Sequence, residues 1–377
     1  MLPKLSILIP TRNRRAYVSH AIRSALDIPS DAIEVIVSEN HSEDDTWDLV
    51  NSFYDARLKV VRPSTPLPMH ENWEFLLQNA TGTWVTFIGD DDAILPYALD
   101  ELEKYANTHP WCEAIYSARG YFFWPSDQSQ GGLLRFSYLN VHEIVDSKTS
   151  LHSLLNGTLN YLFSPQVYSG GFQRKSLISR VKNSRGRYFM SAIPDASSAV
   201  NSLSFTSRFL RVGIPLCLVG TSPDLDKTNS FKNIKSRSQD FHDRLHVSDI
   251  TLHPLFPVFK EPKTFFPVAA HFSFLEAFCS SLPFCNSSLL ESAHFDRILM
   301  RTLIEIRAKN LNNLEKELMT YYGNRSVDEG ELASYQALFP ETFPDPIPGS
   351  VTYSSEGISV ADIGEAVDLV KHVYLQG

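Results

Sequence analysis

Residues Thr83–Pro96, TWVTFIGDDDAILP, run an unbroken apolar segment, Trp84 to Ile88, straight into three consecutive carboxylates, Asp90, Asp91 and Asp92. An apolar run without alternation suits a strand covered on both faces, in the middle of an α/β sheet. The acids then fall at the carboxyl end of that strand. Three adjacent carboxylates repel one another, and in a dry site without a cation at least one takes up a proton. A divalent ion removes the repulsion. Hard Mg²⁺ or Mn²⁺ prefers oxygen ligands and bridges phosphates or steadies a phosphate leaving group. An acidic turn at the start of the next helix is the plainer reading of the same residues. The flanking sequence decides between the two.

The flanks repeat the pattern. Leu5–Ile9 is another short apolar run, ended by Pro10-Thr11-Arg12-Asn13. Val18, Ile22, Ala25 and Leu26 then recur at helical spacing, which predicts an amphipathic helix over Arg15–Leu26. Ile33–Val37 reads as a second strand, ended by Ser38-Glu39-Asn40-His41-Ser42, and Leu58–Val61 as a third. Helices are expected between them, marked by Trp47, Val50 and Tyr54, then over Asn72–Ala80, with another at Pro96–Ala106 and a strand at Ala114–Ser117. Strand alternating with helix is the signature of a doubly wound, mostly parallel sheet. Ligands in such sheets lie beyond the carboxyl ends of the strands. Three polar clusters at three strand ends therefore point to a site.

Composition narrows the function. A net charge of −9 argues against a general nucleic-acid binder, which needs a basic face. The cysteines Cys112, Cys217, Cys279 and Cys285 show no zinc-ligand spacing, and reduced buried thiols are expected. The apolar run near Met1 is too short for a signal peptide, and no stretch approaches the roughly 20 apolar residues of a membrane span. A cytoplasmic protein is expected, with peripheral association at the inner face of the plasma membrane left open.

Three segments, LSILIPTRNRRAYVSHAIRSAL, EVIVSENHSEDDT and ENWEFLLQNATGTWVTFIGDDDAILP, resemble the family 2 glycosyltransferases in order, spacing and strand-end placement. The resemblance is good over about residues 3–120 and looser to about residue 230. It implies the GT-A (Rossmann-like) fold, an inverting transfer from a nucleotide-diphospho-sugar, and Mn²⁺ or Mg²⁺ as cofactor. The nucleotide-sugar-binding positions it implies are Pro10, Thr11, Arg12, Asn13, Glu39, Asn40, Asn72 and Asp90. Family members usually carry two adjacent aspartates where this chain has Glu39-Asn40, so the base is not fixed by the match. Aligned on Pro96, the family's acidic motif has its first position at Gly89 and its third at Asp91. The resemblance thus makes Asp91 the direct metal ligand, Asp90 a neighbour of the ribose, and Asp92 a second ligand or a support behind it. It also places an acid at the Ile193-Pro194-Asp195 stretch as catalytic base. Taken alone, a carboxylate after proline and ahead of a helix reads as an N-cap. The acceptor implied is a glycan or lipid-linked saccharide, as in surface polysaccharide biosynthesis.

The rest of the chain is less specific. Tyr121-Phe122-Phe123-Trp124 reads as core packing ahead of a sugar platform. Gly170-Gly171 reads as a close approach of backbone to substrate. Leu216–Asn229 reads as a strand into a loop. Residues 1–230 are taken as the transferase domain, with a nucleotide-sugar half (1–120) and an acceptor half (121–230). Residues 231–265 follow as lid or linker, with Lys232, Lys235, Arg237, Arg244, His242 and His246. Residues 266–377 are expected to be mainly helical, over Phe272–Ser281, Leu289–Tyr322 and Ser359–Val373, and homodimerisation through them stays open. Three other classes fit the residues less well. A nucleotidyltransferase making the sugar nucleotide would carry a glycine-rich loop after the first strand, where this chain has Pro10-Thr11-Arg12-Asn13. A non-catalytic nucleotide- or glycan-binding module would not need the acid triplet with Asp195. A phosphatase is disfavoured because Pro10-Thr11 ends the first strand where its nucleophile would stand.

Overall fold

The computed structural model describes residues 4–125, 132–222, 295–308 and 351–376, with isolated positions between 274 and 281 and at 330 and 333. The basic residues and histidines expected in the 231–265 segment lie outside the described residues. So do half of the residues of the helix expected over Phe272–Ser281 and, apart from 295–308, the one over Leu289–Tyr322.

The first half alternates strand and helix as the apolar runs require. Its elements are β1 (Leu5–Thr11), α1 (Val18–Leu26), β2 (Ile33–Glu39), α2 (Thr46–Asn51), β3 (Leu58–Val61), α3 (Met69–Asn79) and β4 (Trp84–Phe87). Strands β3-β2-β1-β4 form an all-parallel block, with Thr11 of β1 opposite Glu39 of β2 and Leu8 opposite Phe87 of β4. Successive side chains of β1 point to opposite faces, as a pleated strand demands. Leu5, Ile7 and Ile9 join the core under α1, while Leu8 joins the core under α3. Both faces are covered, which is why these runs are continuously apolar.

The second half extends the sheet with mixed pairing. After β5 (Ala93–Ile94) and α4 (Ala98–Thr108) come β6 (Ala114–Phe123), β7 (Leu133–Tyr138), β8 (His142–Asp146) and α5 (Ser147–Leu155). Then follow β9 (Gly171–Arg174), α6 (Lys175–Arg185), α7 (Pro194–Phe205) and β10 (Arg208–Thr221). β9 lies between β4 and β6, antiparallel to both, and β10 runs parallel to β6. Tyr121, Phe122 and Trp124 are buried, so the aromatic run is core. Cys112 and Cys217 are free and buried, as expected of reduced thiols.

Beyond these, α8 (Phe295–Ala308), β11 (Val351–Ser359) and α9 (Ile363–Gln376) are described. β11 adds an antiparallel edge strand to β7. α9 packs Ile363, Ala366, Val367 and Val370 into the core on the α1 side, and Tyr374 stacks on Tyr97 with ring centroids 3.7 Å apart. α9 thus packs on the α1 side of the same sheet. The α/β class with a largely parallel core is as the sequence predicts. The strand β11 is an addition that the proline-rich 340–349 stretch and its Ser/Thr-rich sequel hid.

Candidate functional site

The site lies where β1, β2 and β4 end. β1 stops at Thr11, and Asn13 then takes a left-handed backbone conformation, φ 55°. Asparagine tolerates that region far better than branched residues. The Asn13 N–H donates to Ser42 Oγ at 2.9 Å, and Asn13 Oδ1 accepts from the Glu43 N–H at 2.7 Å. The first and second strand-end loops are thereby sewn together. Arg12 stands 3.9 Å from Glu43 at the rim.

The turn at Asn13 sends Arg14 back over the strand ends. Arg14 Nε donates to Asp90 Oδ1, Nη2 to Asp91 Oδ2 and Nη1 to Ser222 Oγ, each at 3.0 Å. Ser222 follows β10, so one guanidinium joins three separate parts of the chain. Reading the sequence singled out Arg12 and missed Arg14. The signal available was only a cluster of three arginines, Arg12, Arg14 and Arg15, beside a strand end.

The triplet itself divides. Asp90 and Asp91 face Arg14. Asp92 is fully buried and turns the other way. Its Oδ2 accepts from the Gly89 N–H at 2.7 Å and from the Ser169 hydroxyl, and its Oδ1 accepts from the Gly220 N–H at 2.8 Å. Burial raises the affinity of both Asp90 and Asp92 for a proton, and the Asp91 charge adds to it. Arg14 opposes the rise at Asp90, and the hydrogen bonds from Ser169, Gly220 and Gly89 oppose it at Asp92. Asp91 is held from its backbone side. Its carbonyl accepts from Trp124 Nε1 at 3.0 Å. Gly220 packs so closely that a Cβ there would stand 1.7 Å from the same oxygen.

Glu39, Asn40 and Asn72 reach the same rim with their side-chain oxygens engaged. Glu39 is buried, accepts from the Ser42 N–H at 2.6 Å, and forms an ion pair with Arg62, whose guanidinium lies 3.9 Å from the Trp47 ring centroid. Asn40 uses both ends of its amide on the Leu67 backbone, at 2.8 and 2.9 Å, and so pins the chain ahead of α3. Asn72 Oδ1 accepts from Ser38 Oγ at 2.6 Å. Thr11 is buried beside Asp90.

The segment 167–171 carries the wall from the triplet to α7. The Phe87 N–H donates to the Val167 carbonyl at 2.7 Å, and the Ser169 N–H to the Phe87 carbonyl at 2.8 Å. The Val167 N–H donates to Ser198 Oγ, 3.0 Å, in the first turns of α7. At Gly171 a Cβ would lie 1.5 Å from the Gln166 carbonyl oxygen, so this glycine serves a close approach within the chain itself. The buried Tyr168 phenol is raised well above its ordinary range, by burial and then by the charges of Asp92, Asp91 and Asp195 around it.

Asp195 stands in the first turn of α7, just after the helix-starting Pro194. Tyr161 Oη donates to its Oδ2 at 2.8 Å. Burial raises the carboxyl above its usual range, while Tyr161, the α7 backbone and the Arg119 charge pull it back. The arrangement is a carboxylate with proton affinity above normal, and the Tyr168 phenol feels its charge together with those of Asp91 and Asp92.

A divalent ion does not fit this arrangement as it stands. Arg14 fills the space between Asp90 and Asp91, and the Asp92 oxygens are spent on the backbone and Ser169. Among the described residues no group of three or more His, Cys, Asp or Glu is placed to hold a metal. No helix among them is long and apolar enough to cross a membrane.

Residues 6–152 match the model of the family described as Glycosyl transferase family 2. A GalNAc(5)-diNAcBac-PP-undecaprenol beta-1,3-glucosyltransferase of Campylobacter jejuni is 36% identical over 109 residues, covering 28% of this chain and 35% of its own. The Escherichia coli UDP-Glc:alpha-D-GlcNAc-diphosphoundecaprenol beta-1,3-glucosyltransferase WfaP is 22% identical over 158 residues, covering 40% of this chain and 63% of its own. This chain therefore spans less than two thirds of either relative. The crystal structure of S. aureus TarS with UDP-GlcNAc superposes at a TM-score of 0.48 with 15% identity, over 86% of this chain and 93% of that one.

Proposed function

Residues 6–152 belong to the family 2 glycosyltransferases, and from that premise we propose that the chain moves a sugar, with inversion, from a nucleotide-diphospho-sugar onto a lipid-linked saccharide. One observation carries the reading. A buried acid pair, Asp90 and Asp91, holds the Arg14 guanidinium beyond the carboxyl ends of parallel strands, and a carboxylate with raised proton affinity, Asp195, stands in the first turn of α7 with Tyr168 within electrostatic reach of both Asp195 and Asp91.

In this reading Asp195 takes the proton from the acceptor hydroxyl as its oxygen attacks the anomeric carbon. The bond from that carbon to the diphosphate oxygen breaks on the opposite face, and the electron pair leaves with the nucleotide diphosphate. In this reading the positive charge that meets the leaving group is the Arg14 guanidinium. The stitched loops at Pro10–Asn13 and Glu39–Asn40, with Asn72 behind them, form the wall for base and ribose. A metal at Asp91, Mn²⁺ or Mg²⁺, belongs to the reading only in exchange for Arg14. The acceptor follows the two glucosyltransferase relatives, whose names specify undecaprenol-linked substrates. It would place the protein's work at the inner face of the plasma membrane, in polysaccharide assembly.

The test is calorimetric titration of UDP-, GDP-, dTDP- and CMP-sugars against wild type and Asp91→Ala, followed by transfer assays on an undecaprenyl-diphosphate-linked saccharide. Binding of one nucleotide class, with a product of inverted anomeric configuration, is expected. A folded protein that binds none of the four sinks the reading.

A further inference from the structure

Arg14 reaches across the acidic centre in a way that bears on how any cation enters it. Three hydrogen bonds, 3.0 Å each, run from its Nε, Nη2 and Nη1 to Asp90, Asp91 and Ser222. Charge-assisted contacts of this kind are stronger than neutral ones, and the rigid planar fork sets the spacing of the acids it binds. The side chains are largely buried, with Arg14 17%, Asp90 11% and Asp91 6% exposed, so water screens the three charges little. A divalent ion sited between Asp90 and Asp91 would stand within a few ångströms of the guanidinium carbon. Two cations cannot share that gap.

We infer that Arg14 is the resident counter-ion of the acidic centre and that a divalent cation enters only when the guanidinium leaves. The apparent affinity for metal is then the intrinsic affinity reduced by the fraction of molecules in which Arg14 has swung away. The inference rests on the geometry around Arg14 and not on the transfer reaction, so it is tested without donor or acceptor.

The experiment measures Mn²⁺ binding to the full chain by electron paramagnetic resonance and calorimetry at fixed ionic strength. Four proteins are compared: wild type, Arg14→Gln, Arg14→Lys and Arg15→Gln. Arg14→Gln is expected to bind Mn²⁺ about tenfold or more tightly than wild type, because one unscreened opposing charge is removed. Arg14→Lys keeps the charge and the fold but cannot span both carboxylates, so it falls between the two. Arg15 is half exposed and pairs with Asp45 at 3.3 Å, so Arg15→Gln reports bulk charge alone and is expected to match wild type. Methylguanidinium added to Arg14→Gln should weaken Mn²⁺ binding back toward the wild-type value. Equal or weaker Mn²⁺ binding in Arg14→Gln overturns the inference, as does an Arg15→Gln effect of the same size. If Arg14→Gln does not fold, the lysine variant decides, and a value at or below wild type overturns the inference.

Discussion

The two acidic centres share one short segment, residues 167–171, yet are built in opposite ways. The Asp90–Asp92 centre is dense with donors: a guanidinium on two of its carboxylates, and two backbone amides and a hydroxyl on the third. Asp195 accepts one side-chain hydrogen bond among the described residues, from Tyr161, and burial outweighs that donor, the α7 backbone and the Arg119 charge together. The first arrangement compensates its negative charge within the chain itself. The second leaves a carboxylate under-compensated and so suits taking a proton. The contrast also runs within the triplet, because Asp91 faces a side chain that can move while Asp92 is fixed by backbone.

The largest effect expected is at Asp195. Asp195→Asn keeps the shape and the Tyr161 contact but removes the proton acceptor. Transfer should fall by about 10²- to 10⁴-fold in kcat with nucleotide-sugar affinity unchanged. Steady-state kinetics with parallel donor titrations checks this. A variant with near-wild-type kcat would erase the distinction between the two centres.

Asp92 and Asp91 should then part company. Asp92→Ala strands the buried Gly89 and Gly220 amides, at about 1–3 kcal/mol for each unsatisfied donor. A loss of about 2–4 kcal/mol in urea unfolding is expected for Asp92→Ala, and less than about 1 kcal/mol for Asp91→Ala. Ligand binding should show the reverse order. Equal destabilisation by both would mean that the triplet acts as one unit.

That division is the part of the site the sequence could not carry. The parallel block was legible because strands covered on both faces must be continuously apolar, and each run ended in polar residues that had to face the same edge. Asp91 and Asp92 are indistinguishable as letters; their roles separate only through Ser169 and Gly220, which lie 77 and 128 positions away. Arg14 was equally hidden. Three arginines crowd one loop, and the left-handed turn at Asn13 decides which of them points inward. Asp195 was readable through its proline and the helix that follows, but its partner Tyr161 sits in an aperiodic stretch with no local signal.

A smaller effect is expected at Gly220. Its absent Cβ leaves room for the Asp91 carbonyl oxygen, and Gly220→Ala would place a methyl 1.7 Å from that atom. Relief by shifting the strand should cost about 1–3 kcal/mol. The shift should also weaken nucleotide-sugar binding while leaving the pH dependence set by Asp195 in place. Thermal unfolding and donor titration together separate these outcomes.

The smallest change sharpens the comparison most. Tyr161→Phe deletes the one side-chain hydrogen bond that favours the charged form of Asp195. The carboxyl is already raised by burial, and without that donor it should rise further. In the proposed reaction the base works deprotonated, so transfer should fall as pH drops through its raised value, and the variant should begin to lose activity at a higher pH than wild type. One neutral-to-charged hydrogen bond contributes about 1.5–3 kcal/mol, and part of it is recovered by water entering the space. A shift of the acid limb by about one unit is therefore expected, with the rate above pH 8 nearly unchanged. A uniform loss at every pH would make Tyr161 a packing residue only, whereas a shifted limb with an intact plateau would tie the proton affinity of this centre to a single phenol.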